Sequence, residues 1–181
     1  MSTDAIVIRK LPLDELGLIR DLDRTEQIDA LYVQCGTRLE LREGDWSAPP
    51  WDTTGEGEHS VAGQQATLEQ FVRDGAIVLG AFDDGQLVGV GVVVVHIRPE
   101  TAQLAYLYVT RRERARGVGR RLSDALENIA REAGDTSVVV SATPSLNTVR
   151  FYQRLGYEAM AEPLPELLEL EPQDVHMQKR L

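Results

Sequence analysis

The residues best suited to chemistry lie in one turn, between a strand predicted over 103–110 and a helix predicted to begin at Gly117. Gly117 and Gly119 can adopt backbone conformations that other residues avoid, which lets peptide N–H groups converge. A helix start adds unpaired N–H donors and partial positive charge. This pattern predicts a cradle for an anion, and a pyrophosphate would suit it. Six arginines surround the glycines: Arg111, Arg112, Arg114, Arg116, Arg120 and Arg121.

Two common phosphate-binding motifs do not fit this turn. The dinucleotide fingerprint requires a third glycine where Leu122 stands. A P-loop requires Gly-Lys-Ser/Thr, whereas Gly119 is followed by two arginines. Taken alone, the glycine pair is equally typical of an ordinary helix start with solvated arginines.

A longer pattern around the turn is more specific. Residues 114–119 (RARGVG) resemble the Arg/Gln-x-x-Gly-x-Gly/Ala acetyl-CoA signature of the GNAT superfamily of acetyl-CoA-dependent N-acetyltransferases. The preceding residues 107–109 (LYV) resemble that family's strand entering the turn. Downstream, residues 147–157 (NTVRFYQRLGY) resemble its second conserved block. The resemblance covers residues 76–160.

The resemblance implies acetyl-CoA as the co-substrate, with no metal, and it implies where acetyl-CoA binds. The pantetheine arm would lie in a V-shaped gap between two splayed parallel strands, here 103–110 and 137–141. Main-chain groups of Tyr108 and Val109 would bind the pantetheine amides, Asn147 would contact the CoA arm, and Tyr152 would lie near the thioester sulfur. Backbone amides from residue 115 onward would hold the pyrophosphate. The turn itself comprises Arg114, Ala115, Arg116, Gly117, Val118, Gly119 and Arg120.

Acetyl transfer to an amine would require a deprotonated amine and would benefit from a proton donor for the leaving thiolate. An alkylammonium has a pKa of about 10.4, so its deprotonation at pH 7 costs about 4.6 kcal/mol. A base, a water chain or a desolvating site must therefore assist. A tyrosine is protonated at neutral pH and can donate to the leaving thiolate, which makes Tyr152 the predicted general acid. The alternative is that Tyr152 only packs between helix and sheet.

The sequence leaves the general base open. One branch of the family carries a glutamate eleven residues before the signature, but Gln103 stands there and an amide cannot accept a proton usefully. His96 and Glu26 are the candidate bases, although a lone histidine in a strand is more often packed or exposed. Glu100, Asp23 and, through water, Tyr106 are further candidates.

The predicted elements form a single α/β domain over residues 1–181. The resemblance implies a mixed, mostly antiparallel central sheet with a splayed parallel strand pair and flanking helices. Period-two and period-3.6 patterns, together with turn and capping residues, place the elements. They predict strands over 5–11, 76–82, 87–97, 103–110, 138–140, 157–160 and 175–181, and a hairpin that turns around 35–37. They predict helices over 13–22, from Thr67 to Gly75, from Gly117 to Gly134, and from a Ser145 cap to Leu155. Irregular structure is expected in a loop over 43–64 and in a Pro-rich connection over 162–173.

Composition excludes several classes of protein. The net charge of −10 argues against binding to nucleic acid or an anionic membrane. Cys35 is the only cysteine and the three histidines are scattered, which excludes an internal disulfide and a Cys/His zinc site. No long apolar run or signal-peptide pattern is seen, so a cytoplasmic location is expected. The long hydrophobic strands would allow a homodimer.

The acidic residues are concentrated near the N-terminus. Residues 21–60 contain ten Asp or Glu residues against three arginines. By the resemblance, the region 25–64 covers the acceptor side, and it holds Tyr32, Trp46 and Trp51. Carboxylates and aromatic faces predict a cationic primary amine of a small molecule or peptide, such as a polyamine-like or aminoglycoside-like acceptor, attacking directly in a ternary complex. The alternatives are a solvated acidic surface and, for the whole chain, a non-catalytic acetyl-CoA-binding sensor or partner subunit.

Overall fold

The computed structural model describes residues 6–181. Its strands are β1 (Val7–Lys10), β2 (Glu26–Cys35), β3 (Arg38–Ala48), β4 (Ile77–Asp83), β5 (Gln86–Arg98), β6 (Thr101–Val109), β7 (Ser137–Ala142), β8 (Glu158–Ala159) and β9 (Val175–Arg180). Its α-helices are α1 (Val61–Arg73), α2 (Val118–Ala133), α3 (Leu146–Arg154) and α4 (Pro165–Leu170), and 3₁₀ segments cover Leu13–Asp21 and Arg111–Glu113. Within the described range, no helix is long and apolar enough to cross a membrane.

Seven strands form the central sheet, in the order β1-β4-β5-β6-β7-β9-β8. Every neighbouring pair is antiparallel except β6 and β7, which are parallel. Strands β2 and β3 form a separate antiparallel hairpin. The predicted mixed, mostly antiparallel α/β sheet with one parallel pair and flanking helices is confirmed.

The parallel pair separates soon after it begins. Only Thr101, Ala102 and Gln103 of β6 pair with β7. A register shift against β5 makes Ala105 an extra residue on β6, and such bulges bend the strand that carries them. Beyond it β6 stays paired with β5 as far as Val109, so a gap opens between β6 and β7 towards their carboxyl ends.

Alternating glycines in β5 set how closely α2 approaches the sheet. The valines at 90 and 92 pack towards Leu16, Ile19 and Leu68 on one face. A Cβ on Gly89 would lie 2.9 Å from a methyl of Leu122, and one on Gly91 would lie 2.6 Å from a methyl of Leu126. A side chain at either position would force these leucines to shift, so the two glycines let α2 pack close to the β5 backbone.

The start of α1 differs from the prediction. The helix begins at Val61, and its cap is Ser60, whose hydroxyl accepts from the N–H of Gly63. Thr67 lies inside the helix and donates to the Gly63 carbonyl at 3.0 Å. The Thr-x-x-Gln pattern is therefore a helix-interior pair here, although Gly75, at φ +87°, ends the helix as predicted.

Two segments predicted as irregular are ordered by their neighbours. Strand β3 continues through Trp46, which pairs with Ile28 of β2, so the loop begins later than residue 43. The connection 162–173 contains helix α4, with Pro165 at its first helical position, where proline is well suited. The predicted first strand begins at Val7, and its residue 5 lies outside the described range.

Candidate active site

The turn between β6 and α2 offers a row of free backbone donors. The backbone enters α2 through Gly117, whose φ of +83° lies in the left-handed region. The N–H of Arg116 donates to the Glu113 carbonyl at 3.2 Å. The other backbone N–H groups expected to hold an anion have no acceptor within residues 6–181, since the first turn of a helix supplies none. They belong to Ala115, Gly117, Val118, Gly119 and Arg120.

The arginines of this turn are less available than the sequence suggests. Arg116 pairs with the buried carboxylate of Glu113 and lies 3.6 Å from Asp83. Arg121 donates to the Ile6 carbonyl at 2.8 Å. Much of the cationic charge is therefore used in internal contacts, and an anion here would be bound chiefly by backbone N–H groups and the α2 dipole.

The strand register decides which main-chain groups of β6 face the gap. The N–H of Thr110 donates to the Val88 carbonyl at 2.9 Å, so Tyr108 and Val90 form the next hydrogen-bonded pair. Since neighbouring residues alternate, Val109 and Leu107 point their main-chain groups into the gap, whereas those of Tyr108 point to β5. Sequence analysis named Tyr108 and Val109, whereas the register turns the main-chain groups of Leu107 and Val109 towards the gap, an alternation that the period of two of a strand would indicate.

Tyr152 lies in α3, a helix capped by the Ser145 hydroxyl as predicted. Its side chain is buried, and its ring centroid lies 5.1 Å from that of Phe151 and 5.3 Å from that of Tyr157. Burial, aided by Tyr108 and Asp174, raises the pKa of Tyr152 above its ordinary value. The phenol therefore holds its proton at neutral pH, which a proton donor requires.

Arg114, Glu26 and Asn147, which sequence analysis named from separate parts of the chain, meet in one hydrogen-bond network. Arg114 donates to the carbonyls of Val109, Thr25 and Arg24 at 3.1–3.2 Å. Its guanidinium also lies 3.5 Å from the carboxylate of Glu26. Asn147 donates to that same carboxylate at 3.1 Å. Glu26 thus joins the start of the hairpin to the turn and to α3.

A cavity of about 560 Å³ lies between the β2–β3 hairpin and the segment 163–176. Asp174 lines it and immediately precedes β9, whose Val175 pairs with Ala142 at the carboxyl end of β7. Burial, and then the Glu171 carboxylate, raise the pKa of Asp174 to about 7. Sequence analysis did not identify this residue, because its environment is created by distant segments.

A comparison of the sequence with models of protein families identifies the family of this chain. The sequence model described as "Acetyltransferase (GNAT) family" matches residues 39–157, more than half of the chain. The chain belongs to the GNAT family of acetyltransferases. No curated protein sequence matches this GNAT chain.

Solved structures with the same fold include several acetyltransferases. Nourseothricin acetyltransferase has a TM-score of 0.71 and 18% identity, with 97% of this GNAT chain and 98% of that one covered. The PaiA N-acetyltransferase of Thermoplasma acidophilum, solved with coenzyme A, has a TM-score of 0.64 and 17% identity, with 98% and 99% covered. The ribosomal-protein-S18-alanine N-acetyltransferase of Escherichia coli has a TM-score of 0.61 and 13% identity, with 97% and 94% covered.

The position of the family's glutamate and two of the candidate bases of this GNAT chain lie away from Tyr152. Gln103 is the last residue of β6 that pairs with β7, at the vertex of the gap. His96 has a φ of +55° and contacts Asp135 through its ring Nδ1 at 2.9 Å. His96 and Glu100 belong to the end of the sheet where β6 begins, whereas Tyr152 follows the far end of β7. The structure therefore does not bring either of them to Tyr152.

The remaining candidates are engaged in hydrogen bonds. The Tyr106 hydroxyl donates to the side-chain oxygen of Gln64. The Asp23 carboxylate accepts from the backbone N–H and the hydroxyl of Thr25, and these bonds lower the pKa of Asp23. Burial raises the pKa of Tyr106 and keeps it a neutral phenol, and the lowered pKa of Asp23 makes its carboxylate a weaker base, so neither is suited to accept a proton near pH 7.

Proposed function

We propose that this GNAT acetyltransferase transfers an acetyl group from acetyl-CoA to a primary amine of a small molecule or peptide, by direct attack in a ternary complex. The observation that carries the proposal is the turn at Gly117, where unpaired N–H groups lie beside a gap between two parallel strands. A Cβ on Gly117 would meet no heavy atom within 4 Å, so space is available there. Neighbours of the same fold solved with coenzyme A support the choice of ligand.

The main chain would bind acetyl-CoA in two places. The N–H groups from Ala115 to Arg120, other than that of Arg116, would bind the pyrophosphate at the positive end of α2. Leu107 and Val109 would pair with the extended pantetheine arm as a neighbouring strand would, although the Val109 carbonyl already accepts from Arg114. Asn147, on the α3 side of the network, would contact the arm.

Tyr152 would supply the proton that the leaving sulfur requires. When bound, acetyl-CoA supplies the acetyl group as a thioester. Tyr152 is the candidate acid because burial keeps its hydroxyl protonated and because α3 places it beyond the end of β7, where the gap opens.

Calorimetry and a turnover assay test the proposal. We expect coenzyme A to bind the wild-type protein, and we expect thiol release from acetyl-CoA in the presence of a primary amine. Tyr152→Phe should lower kcat at least tenfold while leaving the Kd for coenzyme A within twofold. No heat on titration with coenzyme A would refute the proposal, and tight binding without turnover on any amine would favour the sensor alternative.

A further inference from the structure

We propose that the cavity between the β2–β3 hairpin and residues 163–176 binds the acceptor, that this acceptor carries a single amine on an apolar body, and that Asp174 accepts the proton of that amine. The inference rests on the acetyl transfer proposed above and adds its acceptor class and its base.

The lining of the cavity defines the acceptor. None of the ten acidic residues between 21 and 60 lines it, so the acceptor proposed here would not be recognised through their carboxylates. Among residues 6–181, Asp174 supplies the only carboxylate that lines it, and Arg42 faces the same space. Much of the remaining wall is apolar, including Leu31, Trp46 and Leu168. A second ammonium group would lose its hydration against these walls or meet Arg42, so an acceptor with one amine is favoured.

The aromatic wall is available to an acceptor. The Trp46 side chain lines the cavity and is partly exposed. By contrast, Trp51 is buried, packs against Tyr108 with ring centroids 5.3 Å apart, and has its face covered by the Arg24 guanidinium at 4.3 Å. Trp46 therefore offers the free indole face to an aromatic or aliphatic body.

Asp174 lies where the amine would meet the thioester. Parallel strands end at the same edge of a sheet, so the carboxyl ends of β6 and β7, with Tyr108 and Ala142, lie on the side where the gap opens. Because Val175 of β9 pairs with Ala142, the last residue of β7, Asp174 lies one residue beyond this end of β7. Its carboxylate also acts electrostatically on both Tyr108 and Tyr152. The proposed base and the proposed acid therefore face the same opening.

Hydrogen bonds hold the Asp174 backbone in place. The Glu171 carbonyl accepts from the Asp174 N–H at 3.2 Å and from His176 Nε2 at 3.1 Å. Because a carbonyl can only accept, His176 carries its proton on Nε2, and its Nδ1 accepts from the Ser141 hydroxyl at 3.1 Å. Burial lowers the pKa of His176, so the ring is neutral. His176 is thus a positioning residue for Asp174.

The proton and electron balance of the step is complete. The Asp174 carboxylate removes one proton from the ammonium group, and the freed nitrogen lone pair forms a bond to the acetyl carbonyl carbon. The bond from that carbon to sulfur breaks, and its electron pair stays on sulfur. Tyr152 donates its proton to the sulfur and regains the second proton leaving the nitrogen, while Asp174 releases the first proton to water. One ammonium ion and one thioester become one amide, one thiol and one proton.

The charged groups around Asp174 set its titration. Glu171 on the same segment opposes its ionisation, and the phenols of Tyr108 and Tyr152 are neutral near pH 7. His176 on β9 is uncharged, and Arg42 on β3 contributes positive charge to the cavity. With a pKa of about 7, Asp174 is a far better base at neutral pH than an ordinary aspartate.

The test compares Asp174→Asn with Glu169→Gln, which changes an exposed carboxylate on α4. The probes are 2-phenylethylamine and spermidine. We expect wild type to give the higher kcat/KM with 2-phenylethylamine. Asp174→Asn should lower kcat about 100-fold, leave the Kd for coenzyme A unchanged, and remove the rise in kcat/KM centred near pH 7. Glu169→Gln should change none of these.

A second variant tests the cavity without touching the base. Trp46→Ala should raise the KM for 2-phenylethylamine about tenfold with kcat preserved, whereas Leu170→Ala, which removes an exposed side chain outside the cavity, should not. If Asp174→Asn keeps a kcat within threefold of wild type, or if the wild-type protein prefers spermidine, the inference is wrong while the proposed acetyl transfer stands. Coenzyme A binding without turnover of any amine by wild type would overturn the proposed function and this inference together.

Discussion

Replacing Asp174 by asparagine should stabilise the protein at alkaline pH. The pKa of Asp174 rises from 3.8 to about 7 on folding, because burial and the Glu171 carboxylate oppose its charge. A shift of about 3 units corresponds to about 4 kcal/mol, and since the side chain is partly exposed we expect about half of this, or about 2 kcal/mol.

The sign of the effect follows from proton binding. Between about pH 4 and pH 7 the folded state binds more protons at Asp174 than the unfolded state does, so its free energy of unfolding falls as the pH rises through this window. Asparagine cannot ionise and avoids this loss. The stability difference between variant and wild type should therefore be near zero at pH 4 and reach its full value above pH 7.

Urea unfolding at pH 4.5, 6 and 8 measures the difference directly. Glu169→Gln makes the same change of charge on an exposed residue of the same segment, and its stability relative to wild type should vary little with pH. If Asp174→Asn is equally stable relative to wild type at all three pH values, or is destabilised at pH 8, the assigned environment of Asp174 is wrong.

Two further predictions concern the turn and the helix that carries it. Gly117→Ala should cost about 1–2 kcal/mol of stability in urea unfolding, because its φ is +83°, and should weaken coenzyme A binding in calorimetry. Gly75→Ala, at φ +87° beyond α1, should cost similar stability with the coenzyme A affinity unchanged, and equal losses of affinity would contradict the role of the turn. Glu127 is buried and accepts from Lys179 at 2.7 Å and from Tyr157 at 3.0 Å. Glu127→Leu should therefore cost about 3 kcal/mol by leaving the Lys179 ammonium and the buried Tyr157 hydroxyl without this acceptor, and adding Lys179→Met should recover only the part due to the ammonium in the same assay.

The elements that depend on local sequence could be predicted. Helix α2 combines a clear apolar period with glycines at 117 and 134 in left-handed conformations, and both ends agree with the prediction. Ser145 caps α3 as its position suggested. These features are encoded within a few residues of where they act, so the sequence alone is enough to find them.

The features that depend on distant contacts could not be predicted. Arg114 was identified as the first residue of the signature, but its hydrogen bonds to the carbonyls of Arg24 and Thr25, some 90 positions earlier in the chain, have no signal in the local sequence. No local pattern distinguishes Asp174, and its altered pKa arises from burial against segments that only the fold assembles. His96 was one candidate base, and its contact with Asp135, which follows α2, likewise has no signal in the local sequence.

The separate β2–β3 hairpin has an evolutionary consequence. It shares no continuous strand pairing with the seven-stranded sheet. The Tyr32 N–H donates to the Pro144 carbonyl, and the Gln34 side chain bonds to backbone atoms of Met160 and His176. These attachments reach main-chain atoms, which any substitution at residues 160 or 176 other than proline would preserve. A hairpin that keeps Glu26, whose carboxylate contacts Arg114 and Asn147, can thus diverge elsewhere while the turn at Gly117 is preserved, which gives selection a separable segment on the proposed acceptor side.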